Sequence, residues 1–295
     1  MSKRKIAICL VAAAMIWGIL LVFFHKQRNR TYSGIAIANR AEVVASMREG
    51  LRQHSRQITI QFTAHSDSME NIREMAEGML EEALEETDNP SEGDYIRFQY
   101  GGYELGCGCD RDGGQYTYRI RLVPDYYTSV EQEEIVTEEI DRVLASLHFD
   151  RNTSEYEKVR AIYDYVYRTV AYDEVHKNKE QNHLKTTAYS ALIYKTAVCQ
   201  GYSVLLYRLF REAGIGARVV TGTAVLDGKE ELHAWNIVRI DGFYYNLDAT
   251  WGRALETEAY FLKCDAEFGN HIRDERYRTE EFYRLYPMAD RNYEP

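Results

Sequence analysis

The chain has 295 residues, of which 45% are hydrophobic, 28% charged and only 4 are proline, a composition that excludes a disordered or collagen-like protein and suffices for one or two packed domains. Its formal net charge is −10, and outside the N-terminus no basic stripe is interleaved with aromatics, which argues against nucleic acid as a partner. The same charge would repel the soluble part from an anionic membrane surface.

Ile6 to Phe24 is an uncharged run of nineteen residues between Lys3, Arg4 and Lys5 on one side and Lys26, Arg28 and Arg30 on the other. At ~1.5 Å per residue it matches the thickness of a hydrocarbon core, so residues 1–30 are expected to form a membrane anchor with basic flanks. A cleaved signal peptide has a shorter apolar region, about 7–15 residues, followed directly by a small-residue site. Here Ala36-Ile37-Ala38 lies beyond a basic segment, which favours an uncleaved anchor. Lysine and arginine are balanced across the run, and the short N-terminal tail points to an extracytoplasmic soluble domain.

Residues 31–150 read as a small α+β domain. A weak helical pattern covers Ala41 to Leu51, and Ile58 to Phe62 alternates as a strand. Met69, Ile72, Met75, Met79, Leu80 and Leu84 recur at helical spacing, opposite a glutamate-rich solvated face. After Asn89-Pro90, Tyr95 to Tyr103 and Gln115 to Val123 read as two strands joined by a glycine-rich loop. Thr128 with Glu131 suggests a capping box for a helix from Val130 to His148. Cys107-Gly108-Cys109 lacks further ligands at metal-site spacing and is read as part of a turn, its thiols free or in a small disulfide.

Asp150 to Ser154 punctuates the chain, and residues 151–295 read as the catalytic domain. The same punctuating stretch caps a helix over Glu155 to about Ala171, and Thr187 to Tyr194 is predicted to be a short helix leading to Cys199. Cys199 opens an apolar helix that ends at Gly214. A helix start offers unpaired N–H groups and the positive end of the macrodipole, which favour thiolate and place donors near a bound carbonyl. Ala217 to Leu226 is a predicted strand, turned by Asp227-Gly228 toward a strand carrying His233. Asp241-Gly242 turns that strand in a second hairpin, which ends near Asp248. His233 is eight residues before Asp241 and Asp248 six after Gly242, so the two fall at nearly matching levels. Tyr260 to Leu262 reads as one more strand, and the charged tail to Pro295 wraps the core.

The order Cys199, His233, Asp248, with spacings of 34 and 15 residues, comes with Val198-Cys199-Gln200-Gly201-Tyr202, His233-Ala234-Trp235-Asn236 and Asp248-Ala249-Thr250-Trp251. These motifs resemble those of the transglutaminase-like superfamily of papain-like thiol enzymes, over roughly Thr153 to Asp265. The resemblance implies an α+β papain-like core, a helix carrying the cysteine packed on an antiparallel sheet, and acyl-enzyme chemistry. In that chemistry Cys199 attacks an amide carbonyl, His233 protonates the leaving amine and Asp248 orients His233. The backbone N–H of Cys199 is the expected oxyanion donor.

Taken singly, each residue has a plainer reading: a buried thiol, a strand histidine, a cap. His176 and His183 in a polar loop, His271 in the charged tail, and Cys264 have no catalytic context in sequence, and Trp235 and Trp251 read as wall or core. Three functions stay open: a membrane-anchored transglutaminase-type acyltransferase, a cysteine peptidase or amidase with the same triad, and a non-catalytic envelope scaffold. No cofactor or metal is expected. The expected partners are a protein or peptide substrate and the membrane, not nucleic acid.

Overall fold

The computed structural model describes residues 31–33, 40–64, 69–112, 115–175 and 182–295. The expected anchor over Ile6 to Phe24, and His176, lie outside the described residues. Among the described residues no helix is long and apolar enough to cross a membrane. The chain divides into two compact units, residues up to 83 with 102–125, and residues 84–101 with 126–295.

The first unit contains β1 (Thr31–Ser33), α1 (Arg40–Arg52), β2 (Gln57–Ala64) and α2 (Met69–Ala83). Most of β3 (Tyr100–Asp112) and β4 (Gln115–Tyr126) also belongs to it, and the sheet order is β1-β2-β4-β3. Alternation buries Ile58, Ile60 and Phe62 on β2 with Tyr118, Ile120 and Leu122 on β4. Helical spacing buries Val43, Met47 and Leu51 on α1 and Ile72, Ala76, Met79 and Leu80 on α2. Arg48 on α1 closes the end of α2, donating to the carbonyls of Glu82 and Ala83 at 2.8 and 2.9 Å. Cys107 and Cys109 are free thiols on strand β3, not in a turn, and burial pushes the Cys107 thiol up.

The second unit begins with α3 (Asp94–Arg97), and α4 (Val130–Ser146) and α5 (Glu155–Thr169) follow. Short parallel strands β5 (Ala171–Tyr172) and β6 (Thr196–Ala197) lead to α6 (Cys199–Glu212). A four-stranded sheet follows, with β7 (Ala217–Leu226), β8 (Lys229–Ile240) and β9 (Phe243–Leu247), then α7 (Ala249–Ala254), β10 (His271–Arg273) and α8 (Glu280–Leu285). Its order is β10-β7-β8-β9, with antiparallel neighbours throughout. The architecture is mixed α+β with antiparallel sheets, as expected. Capping boxes at Ser129 with Gln132 and Ser154 with Glu157 start α4 and α5. The first of these lies one residue beyond the predicted Thr128–Glu131 pair.

The expected boundary at 150/151 does not coincide with the division between the units. Val136, Ile140 and Val143 of α4 share one core with Val159 and Ile162 of α5 and Leu205 and Leu209 of α6. Residues 84–101 join the same unit through a buried ionic cluster. Arg218 on β7 forms a bidentate pair with Asp94 at 2.7 and 3.0 Å, and Asp94 also accepts from the Val219 N–H at 2.8 Å. Glu86 accepts from the Asp94 N–H at 2.8 Å and from Tyr207 Oη at 2.7 Å. Burial and then the Asp94 charge push the Glu86 carboxyl up to about 7, against Arg218.

That cluster explains why Tyr95 to Tyr103 is not one strand. Asp94 starts a helical turn, closed by Phe98 N–H to Asp94 O, and β3 begins only at Tyr100. Tyr260 to Leu262 is likewise not a strand. Leu262 has φ of 52°, and pairing in this stretch is a single bridge between Asn246 and Lys263. The predicted helix over Thr187 to Tyr194 is a π turn, Ser190–Tyr194, preceded by a 3-10 turn, His183–Thr186.

Candidate active site

The start of α6 is built by the segment in front of it. Val198 has extended backbone and donates its N–H to Lys185 O at 3.0 Å, and Tyr202 N–H closes the first turn on Val198 O at 3.2 Å. The N–H groups of Cys199, Gln200 and Gly201 therefore precede the first intrahelical bond and have no acceptor within the helix. Gly201 lets Lys185–Thr187 run against this turn: a Cβ there would lie 2.7 Å from Ala197 Cβ and 2.8 Å from Lys185 O. Cys199 is a partly exposed free thiol. Asp173 N–H donates to Ala197 O at 2.9 Å, which carries Tyr172 alongside the approach to Cys199. Burial and then the Cys199 charge raise the Tyr172 phenol above its ordinary value.

His233 and Asp248 are delivered by the sheet. Asp227-Gly228 and Asp241-Gly242, all at positive φ, make the two tight turns on either side of β8. Pairing of β8 with β9 sets Asn236 opposite Leu247, so β9 ends one residue before Asp248. Asp248 then caps α7, its Oδ1 accepting from Thr250 N–H at 2.8 Å and Trp251 N–H at 3.1 Å. Its Oδ2 lies 2.8 Å from His233 Nε2. Asn236, three residues beyond His233, donates to Ser203 O at 2.9 Å and ties β8 to α6. Trp251 and Trp235 line the imidazole, with ring centroids 5.1 and 6.3 Å from that of His233.

The electrostatics follow from this wiring. Burial pushes His233 down, but the Asp248 charge and hydrogen bond, aided by Cys199, outweigh it and hold His233 up at about 10. Nδ1 is the ring nitrogen left for the thiol. Burial would raise Asp248, but the His233 charge and the hydrogen bonds from His233 and His271 hold it well below the ordinary carboxylate range. The arrangement favours an ionised carboxylate beside an imidazolium, with a thiol at a helix start next to them.

His271 is the residue that sequence reasoning missed. Pairing of β10 with β7, which sets Arg273 opposite Gly222, brings it from the charged tail to 3.2 Å from Asp248 Oδ2. A Cβ at Gly222 would collide with the Ile272 carbonyl, so this close approach needs glycine. The signal was a lone histidine between Phe268 and Arg273, with too short a strand to show a period. Burial lowers the His271 pKa, against Asp248. His233, Asp248 and His271 present ligand atoms within 4.8 Å of one another, a spacing a metal ion could use. Their mutual hydrogen bonds already account for that proximity. His183 stacks on Tyr127 at 4.9 Å, and Cys264 is a buried free thiol. No described contact joins either of them to Asp248.

Residues 145–249, which include Cys199, His233 and Asp248, match the family model of the transglutaminase-like superfamily. Kyphoscoliosis peptidase of Mus musculus is 32% identical over 111 residues, 35% of this chain and 16% of that protein. The Homo sapiens protein of the same name is 30% identical over 125 residues, 39% of this chain and 18% of that protein. The chain thus matches less than a fifth of the length of these curated relatives. A solved structure described as a TGase is similar at 21% identity and a TM-score of 0.36, over 66% of this chain and 51% of that one. Over residues 145–249 the chain is thus similar to the transglutaminase-like superfamily.

Proposed function

We propose that this chain is a transglutaminase-type thiol acyltransferase that acts on protein or peptide amides through a thioester on Cys199. The observation that carries the reading is the 2.8 Å contact between His233 Nε2 and Asp248 Oδ2, which leaves Nδ1 for a thiol at the start of α6. In this reading the Cys199 thiolate adds to the amide carbonyl carbon, and the oxyanion meets the free N–H groups of the first helical turn. The C–N bond then breaks and His233 gives its proton to the departing ammonia or amine, leaving an acyl thioester. An incoming amine then adds to the thioester carbonyl, the C–S bond breaks to return the Cys199 thiolate, and His233 takes the amine's proton as the new amide leaves. Asp248 holds the imidazole in the tautomer this requires.

If water takes the place of the amine, the same steps make the protein a cysteine peptidase or amidase. The similarity to proteins named peptidases favours this second reading. Residues 1–30 are proposed to anchor the soluble part on the extracytoplasmic side of a membrane, on the strength of the uncharged run Ile6 to Phe24.

The test is incubation of the protein with a glutaminyl peptide library, with and without a labelled primary amine, followed by mass spectrometry. A peptide adduct on Cys199 that turns over to amine conjugate supports the transferase. Turnover only to acid or cleaved peptide moves the assignment to the hydrolase. No Cys199 adduct, and identical products from Cys199→Ala, contradict both.

A further inference from the structure

We infer that His271 is a positioning residue of this site, holding Asp248 by donating a second hydrogen bond to the same Oδ2 that His233 uses. The inference rests on the proposed role of Cys199 and His233 and extends it to a residue outside the family-matched segment.

The tautomer of His271 follows from its neighbours once the Asn270 amide is oriented. Its Nδ1 lies 2.9 Å from the Asn270 side-chain amide, whose other end lies 3.1 Å from Tyr260 Oη, and its Nε2 lies 3.2 Å from Asp248 Oδ2. As placed, Asn270 Oδ1 faces His271 Nδ1 and Asn270 Nδ2 donates to Tyr260 Oη; with the amide in that orientation both ring nitrogens would have to donate, and only an imidazolium can do that. If the amide nitrogen faces His271, Tyr260 Oη donates to the amide oxygen, and a neutral ring satisfies every contact with its proton on Nε2. The surroundings select the neutral ring. Phe268 stacks on it at 4.0 Å, Trp251 and Trp235 pack edge-on at 4.6 and 5.0 Å, and the side chain is buried. Burial in such an aromatic cage disfavours the cation, in line with the lowered pKa.

A neutral donor on Oδ2 has two consequences. It completes the carboxylate, whose Oδ1 is held by two backbone N–H groups and whose Oδ2 is held by two imidazoles, so Asp248 is clamped at four points. It also takes part of the carboxylate's accepting capacity away from His233. The titratable groups that bear on the pair are few. Asp248, Cys199 and His271 face His233; the phenols of Tyr163 on α5 and Tyr202 on α6 lie near Asp248; and Tyr172 lies near Cys199. An aromatic cage alone is filled as well by phenylalanine. A histidine there, with its polar atoms used at both ends, is accounted for by the hydrogen bond it makes.

The experiment compares the full chain with His271→Phe, which keeps the ring and removes the donor, and His271→Gln, which keeps an N–H of similar reach. The pH dependence of Cys199 alkylation is followed together with thermal unfolding. In His271→Phe the carboxylate is left to His233 alone, so the pH window of the thiolate–imidazolium pair should widen, its basic edge rising by about half a unit or more. His271→Gln should restore the parent profile. A folded His271→Phe with a lower melting temperature and an unmoved profile would overturn the inference and leave a packing role. If Cys199 of the parent protein titrates as an ordinary thiol, the functional reading itself falls, and the inference falls with it. Should His271→Phe fail to fold, the ring 15N shifts of His271 in the parent protein decide. A neutral ring protonated on Nε2 between roughly pH 6 and 8 is expected. An imidazolium, or a proton held only on Nδ1, would contradict the assignment.

Discussion

Asn236 Nδ2 donates to Ser203 O at 2.9 Å, and Ser203 Oγ donates to Cys199 O at 2.9 Å, so the strand of His233 is fastened to the helix that Cys199 begins. The same amide also reaches Arg218 O at 3.2 Å on β7. Asn236→Ala would strip a buried and a partly buried carbonyl of a donor, at a cost of about 1–3 kcal/mol in urea unfolding. It should also slow the proposed acyl transfer by on the order of 10–100-fold, because the imidazole and thiol lose their common reference. Full stability with lost activity would point to a more direct role for the amide.

Gly201→Ala tests the packing under the first turn of α6. The added methyl would meet Ala197 Cβ at 2.7 Å and the carbonyls of Lys185 and Thr187 at 2.8 and 3.1 Å. Overpacking of this kind costs about 1–3 kcal/mol. Slower alkylation of Cys199 by iodoacetamide should accompany the lowered unfolding midpoint, since the turn that carries the thiol must shift.

Asp94→Ala should be among the most destabilising single changes. Arg218 would keep Glu86, 3.3 Å away, but would lose its bidentate partner at a buried position, and Val219 N–H would lose its acceptor. Breaking a buried pair from one side costs about 3–5 kcal/mol. A shift in denaturation midpoint equivalent to less than 1 kcal/mol (about fivefold in the unfolding constant) would mean that the cluster is dispensable.

The site should leave a pH signature in stability. His233 is raised from its ordinary 6.5 to about 10, so its contribution is complete below pH 6.5 and is lost as pH rises through 10. Asp248 is depressed, so its contribution is present above its ordinary 3.8 and is lost as pH falls below that value. His271, lowered by burial, acts in the opposite sense to His233 and takes stability away as pH falls below 6.5. The stability advantage of the parent protein over His233→Gln should therefore be largest near pH 5–6 and shrink toward pH 10, read by urea titrations at several pH values. An advantage that grows with pH would contradict the His233 assignment.

Much of the second unit is legible in the sequence because its signals are local. The strands over Ala217 to Leu226 and Phe243 to Leu247, the two Asp-Gly turns and the cysteine helix ending at Gly214 carry their own periodicity and turn chemistry. Cys199, His233 and Asp248 stand in short motifs, and counting residues from Asp241-Gly242 already sets the last two at similar levels. What the sequence hides depends on partners far along the chain. His271 and Arg273 sit in a run that reads as solvated, yet Arg273 is buried because Asp265 and Asn246 receive its guanidinium at 2.7 and 2.9 Å. Asp94 stands just before an apparent strand, but pairing with Arg218, 124 residues away, makes it the start of a helical turn that takes up the first residues of that strand. A boundary drawn at Asp150 follows the local break and misses the core that α4 shares with α5 and α6.

The most direct test of the central claim is the pH dependence of Cys199 alkylation in the parent protein and in His233→Ala. An apparent thiol pKa well below the ~8.5 of a free cysteine is predicted, returning toward that value when the imidazole is removed. Slow alkylation with an ordinary thiol pKa, unchanged in His233→Ala, would contradict it.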